Sequence, residues 1–200
     1  VQAAENELAR AIDHDVTIRV DGPQQEEPGP AMHTGAHPVK GAAHYLLVGE
    51  NDARVPHGFN LSVHGKQDHI RVEDIRWGWL SQLADGQLRG CTLRGNGTAA
   101  LSGKGYGKDV IDCDVGRPPD ERGPTDDYAI LSIGTETVVV RGGVLRGAKA
   151  ALKQIAGAVH VVERGVEIDA PEIAPGVPAP KGGVTRRKRM FVGGEEVSLG

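Results

Sequence analysis

The feature that most limits how this chain can fold is a repeat of short apolar strings. Gly58-Phe59-Asn60-Leu61-Ser62-Val63 precedes Ile70-Arg71-Val72-Glu73-Asp74-Ile75, and Gly78-Trp79-Leu80-Ser81-Gln82-Leu83 precedes Leu88-Arg89-Gly90-Cys91-Thr92-Leu93. The pattern continues through Ala99–Gly103 and 110–115, 129–134 and 138–144, then 150–155 and 159–166. Leucines 61, 80, 101, 131 and 152 anchor the units, at steps of 19, 21, 30 and 21 residues. The long step holds the Pro- and Gly-rich stretch 116–127, a loop whose removal restores the period. Each unit is two or three short runs separated by Gly, Asp or Asn. That content matches one coil of a parallel β-helix, in which no unit buries its apolar face alone and stacking supplies the core. Leucine-rich repeats share the length, but their fixed Asn or Cys is missing and the second run here is Val-rich.

Composition agrees with strands. The chain has 22 Val against 13 Leu, and β-branched side chains suit a pleated surface. Its 29 glycines in 200 residues supply turns without a collagen period. No apolar run approaches the roughly 18 residues of a membrane-spanning helix, and no signal peptide is recognisable, although Val1 is not a natural start. A net charge of −4 argues against a dedicated nucleic-acid binder. Neither a membrane nor a nucleic acid is therefore an expected partner.

On the runs between residues 58 and 168, the chain resembles the single-stranded right-handed parallel β-helix superfamily. This is the pectate-lyase-like fold of polysaccharide lyases, hydrolases, epimerases and phage tailspikes. The opening residues are similar too. Ala4, Leu8, Ala11 and Ile12 follow helical spacing, and Val16–Val20 alternates as a strand. They predict a short helix capping the open end of the coil, followed by its first strand. The expected organisation is an all-β domain over 1–169, a Pro/Gly-rich extended linker over 170–183, and an assembly tail over 184–200. Within that tail 184–192 and 195–199 form a β-hairpin about Gly193-Gly194. Residues 23–44 read as a long loop leaving the first rung.

The chemistry-bearing residues allow two accounts each. Asp109, Asp112 and Asp114 share one coil, and the superfamily places catalytic acids on one sheet face, where paired carboxylates can divide acid and base roles. The plainer account makes Asp109 a turn residue and the other two solvated strand positions. Trp77 and Trp79 straddle a turn that leaves one indole outside, free to stack on a sugar ring or anchor a subunit; alternatively both pack on neighbouring rungs. Arg71, Arg76, Arg89, Arg94, Arg141 and Arg146 recur along the rungs. Such a ladder, with Arg71 and Arg94 foremost, can grip sulfated or uronic sugars, or interlock with Glu73, Asp112 and Glu163. His33 and His37 are spaced for half a metal site only on a helix, which Gly35 and Pro38 oppose, so no metal or other cofactor is expected. Cys91 and Cys113 lie one rung apart, within reach of a disulfide, though buried free thiols are the simpler outcome.

The resemblance implies two functional classes. The first is a structural, adhesive component of a phage-like particle, such as a tailspike or tail fibre, located in the virion. It would assemble as a homo-oligomer, a trimer by preference, with other virion proteins and a cell-surface polysaccharide as partners. The second is a secreted polysaccharide lyase, glycoside hydrolase or epimerase on the same scaffold. A capsid-decorating or baseplate protein without a ligand is a third. Size orders them: five to seven rungs make a rod of only about 25–35 Å, shorter than enzymes resembling this fold.

Overall fold

The computed structural model describes residues 11–23, 32–33, 37–61, 63–83, 85–95, 97–103, 107–134, 137–155, 157–163, 165–179 and 189–192. Strands dominate, and among the described residues the only helical segment is a 3-10 turn at Gln67–His69. The strands wind as a parallel β-helix with three faces. Sheet A stacks 16–21 on 45–50, then Ile70–Glu73, Asp85–Arg89, Gly107–Ile111, Thr137–Arg141 and Val159–Glu163, every pair parallel. Sheet B stacks 54–55, 76–77, Thr92–Leu93, Asp114–Val115, Val144–Arg146 and Glu167–Asp169. Sheet C stacks Met32–His33, 59–61, 79–83, Ala99–Gly103, Tyr128–Ser132 and Ala150–Gln154.

Alternation of side chains along each strand gives every sheet one inward row per rung. On sheet A the in-register row Ile18, Leu47, Val72, Leu88, Val110, Val140 and Val162 is buried throughout. Sheet B contributes Val55, Trp77, Leu93, Val115, Leu145 and Ile168, also buried. Burying each such side chain contributes about 1.5–3 kcal/mol, and each row makes sense only when its neighbours are present. The bend from sheet A to sheet B uses left-handed backbone at Asn51, Asp74, Gly90, Asp112 and Gly142, with φ of 50° to 63°. Glycine, Asn and Asp tolerate this region best, which accounts for the Gly/Asp/Asn punctuation of the repeat.

The leucine register is only partly as expected. Leu80 and Leu101 are partners, and Leu101 pairs with Ile130, which pairs with Leu152. Leu131 is one residue out of this row and half-buried, opposite Ser102 and Lys153. Either residue of the Ile130-Leu131 pair could have faced inward, and a one-residue slip reverses every side chain of a strand. Leu61 pairs with Leu83, whereas Phe59 pairs with Leu80.

The flanks also differ from expectation. Residues 23–44 are not wholly a loop, because Met32–His33 joins sheet C and His37–Pro38 pairs with Val63–His64. A rung must pass all three faces before it can rejoin sheet A. The proline-rich segment after Asp169 is not simply extended: Glu172–Ala174 and Val177–Pro178 form a small antiparallel hairpin about Gly176. Its Ile173 is fully buried in the common core, so this hairpin closes part of the coil's end. Arg189–Val192 adds antiparallel to Val159–Glu163, covering the last edge of sheet A. The expected partner strand at 195–199 and residues 1–10 of the expected capping helix lie outside the described residues. Ala11 and Ile12, expected to end that helix, are not helical: Ile12 is buried and bridges to Val39.

Candidate functional site

One rung carries an enlargement that a compact coil does not need, the loop over 116–127 between sheets B and C. Ordering such a loop costs about 1–2 kcal/mol per residue in backbone entropy, yet it is held tightly. Arg94, 8% exposed, reaches across from the rung below. Its Nε donates to Glu121 at 2.8 Å, its Nη2 to Asp114 at 3.0 Å, and its Nη1 to the carbonyl of Gly116 at 2.8 Å. Arg117 ties the loop to itself, donating to Glu121 at 2.8 Å, to the Arg122 carbonyl at 2.7 Å and to the Pro124 carbonyl at 3.1 Å. At the far end Asp126 is fully buried and accepts from the backbone N–H groups of Gly95 at 3.0 Å and Gly97 at 3.1 Å. A Cβ on Gly95 would lie 2.0 Å from the Asp126 carboxylate, so glycine is what allows this docking.

Electrostatics follow from that packing. Burial works to raise the Asp114 carboxyl, but Arg94 and then Arg146 beside it hold it below the usual carboxylate range. Burial likewise opposes the charge on Arg94, and the carboxylates of Asp114 and Glu121 overcome it. For Asp126 burial wins over the two backbone donors, and its carboxyl is pushed up.

Between this loop and the turns of the next two rungs lies an open cleft of about 340 Å³, walled by Arg117, Pro119, Thr125, Arg146, Asp169 and Pro171 among others. That is at the small end of the roughly 300–1,000 Å³ typical of ligand sites. Arg146 donates through Nη1 to Asp114 and lies with its Nε 3.5 Å from Asp169. The Nη2 groups of Arg117 and Arg146 make no hydrogen bond among the described residues. The cleft therefore combines two part-buried guanidinium groups that keep spare donors, one half-exposed carboxylate, a hydroxyl and two proline rings.

The three candidate acids do not meet. Asp109 is on the outer face of sheet A, 2.8 Å from Arg141 and 3.5 Å from Gln87. Asp112 occupies the left-handed corner, exposed, with φ of 50°. Asp114 is on the outer face of sheet B within the arginine network. Neither part of the plainer account holds for Asp109 and Asp112, since the turn residue is Asp112 and Asp109 is a strand position. Trp77 is 1% exposed and stacks inward between Val55 and Leu93, so it offers no indole to a ligand. The turn that was expected to expose one indole is the corner between sheets B and C, and it leaves Trp77 pointing into the core. Trp79 pairs with Gly58 on sheet C, and its side chain lies outside the described residues. Arg71 is exposed on sheet A. Arg94 is committed to the loop, so its contribution to binding is to fix a wall.

The interlocking account of the arginine ladder is borne out on sheet A, where Arg89 contacts Gln87 and Glu73 and Arg141 bridges Asp109 and Glu163. Asp112 takes no part in it. No group of three or more His, Cys, Asp or Glu among the described residues could hold a metal ion. A buried polar pair escaped the sequence reading. Ser132 and His160 meet at 2.8 Å inside the coil, with Lys108 buried on the same inward row. Burial, followed by the Lys108 charge, lowers the His160 pKa to about 4.

The chain has no match among protein-family models, curated proteins or solved structures.

Proposed function

We propose that this chain is a structural, adhesive β-helix of a phage-like particle, of the tailspike or tail-fibre kind, and that it contacts a cell-surface polysaccharide through the cleft beside the 116–127 loop. The observation that carries this reading is the clamping of that loop by Arg94, Arg117 and Asp126 onto a stacked coil. Loops fixed on rigid scaffolds are where binding residues concentrate, and fixed walls reduce the ordering cost of binding. Saccharides present hydroxyls and C–H faces. The Arg146–Asp169 pair and Thr125 supply donors and acceptors for the first, and Pro119 and Pro171 supply apolar surface for the second. The resemblance to the pectate-lyase-like superfamily supports the same ligand class. Adhesion is favoured over cleavage because Asp109 and Asp114 are each engaged by arginine and face different sides of the coil.

An array of bacterial surface polysaccharides tests the reading. The chain is expected to retain at least one polymer, Arg146→Ala to weaken that binding about tenfold or more, and Arg71→Ala to leave it unchanged. No retention of any polymer, or equal binding by Arg146→Ala, contradicts it. Release of unsaturated or reducing ends would move the chain to the enzyme class. We propose also that the chain assembles as a homotrimer: light scattering of the full chain is expected to give a trimer, and a monomer would remove this part of the proposal.

A further inference from the structure

We propose that Cys91 and Cys113 form a disulfide site that staples two consecutive rungs when the chain meets an oxidising environment. The two are the only cysteines in the chain, so neither has another intramolecular partner. Both sit at the bend from sheet A to sheet B, directly after the left-handed residues Gly90 and Asp112. The register puts them in one column. Thr92 pairs with Asp114, and the Asp114 N–H donates to the Cys91 carbonyl at 2.9 Å. The same carbonyl ladder continues below to Ile75 and above to Gly143, through Thr92 and Val144.

Neighbouring strands lie about 4.8 Å apart, inside the roughly 4.4–6.8 Å Cα range of disulfides. In-register Cβ atoms at that separation must approach by roughly 0.3–1 Å to reach disulfide geometry, and Cys91 and Cys113, which belong to no regular strand, have to supply that shift. Both side chains face the core, at 1% and 2% exposure, and both are thiols here. Cys91 donates to the carbonyls of Arg89 at 3.4 Å and Val72 at 3.5 Å, and Cys113 to Ile111 at 3.3 Å. Cys113 is raised by Cys91 beside it and by burial, whereas the hydrogen bond from Cys113 lowers Cys91.

The oxidant is a small-molecule disulfide such as oxidised glutathione. One of the two cysteines, as a thiolate, attacks one of the oxidant's sulfurs, forming a mixed disulfide and releasing one small thiolate. The other cysteine, its proton lost to water, then attacks the sulfur of the first and displaces the second small thiolate. Two protein thiols are oxidised and one small disulfide is reduced. Burial excludes the reagent from the packed core, so closure happens while the corner is open, during folding or local unfolding.

The test is to hold the reduced full chain in a glutathione redox buffer with urea below its unfolding midpoint. The product is then unfolded, alkylated and weighed. The expected product is monomeric, lighter by two hydrogens, resistant to alkylation, and maps to a Cys91–Cys113 linked peptide. Its melting temperature should exceed that of the reduced chain by roughly 5–10 °C, and reductant should abolish the difference. Cys113→Ala should instead stop at the glutathione adduct on Cys91. Two alkylatable thiols after the incubation, a persistent double adduct, or a linked product that melts lower than the reduced chain would each overturn the proposal.

Discussion

Arg94 carries more than one role at a single position. Its guanidinium joins the Asp114 strand to Glu121 of the loop, and its Nη1 satisfies the Gly116 carbonyl. Arg94→Met keeps the apolar stem and removes those bonds. It should destabilise the chain by about 2–3 kcal/mol and expose the loop to cleavage after Arg117 or Arg122. Urea midpoints and limited trypsin digestion check this, and a wild-type midpoint with an intact loop would show that the clamp is decorative. His160 gives a pH prediction of definite sign. Its pKa is near 6.5 in the unfolded chain and about 4 in the fold. Between those values the unfolded chain binds a proton that the folded chain refuses. Stability is therefore full above about pH 6.5 and falls as the pH drops towards 4, by about 3 kcal/mol in all. His160→Gln retains a polar partner for Ser132 and cannot titrate, so its midpoint should fall less between pH 7 and pH 4. Parallel curves for the two proteins would contradict the assignment.

At the scale of elements, two adjacent glycines separate backbone conformation from space. Gly142 and Gly143 have φ of 63° and 73°. A Cβ on Gly142 would meet the Asp112 carboxylate tip, a movable atom, whereas one on Gly143 would lie 2.1 Å from the Cys113 carbonyl oxygen. Gly142→Ala should cost about 1–2 kcal/mol for its left-handed backbone, and Gly143→Ala distinctly more because the rung below cannot yield. Equal urea midpoints would contradict this picture of the corner. The repeat made the strands and this corner legible because each depends on local alternation and on turn residues within a few positions. It made the register less so. Ile130 and Leu131 are equivalent by hydropathy, and only the rungs above and below choose between them. The same limit hid Ser132 and His160, which are 28 residues apart and meet only because the chain has turned once more.

At the scale of the molecule, the coil is a ladder of parallel rungs. Its interior rows were readable, and so was a strand within 184–192, but what closes its ends was not. The hairpin that buries Ile173 and the strand Arg189–Val192 obey no repeat; they exist to cover edges that only the finished coil presents. The candidate site was half legible in the same sense. The 116–127 loop stood out by breaking the period, whereas Arg94, Arg146 and Asp169 converge on it from three different rungs. Everything rests on Val72, Leu88, Val110, Val140 and Val162 standing in one column, each one turn above the last. Methyl–methyl nuclear Overhauser effects in a selectively labelled chain read that column directly. Contacts between consecutive members, with none between Val72 and Val140 or between Leu88 and Val162, are the expected result. Cross-peaks that instead link residues close in sequence across hairpins would mean that the chain does not coil.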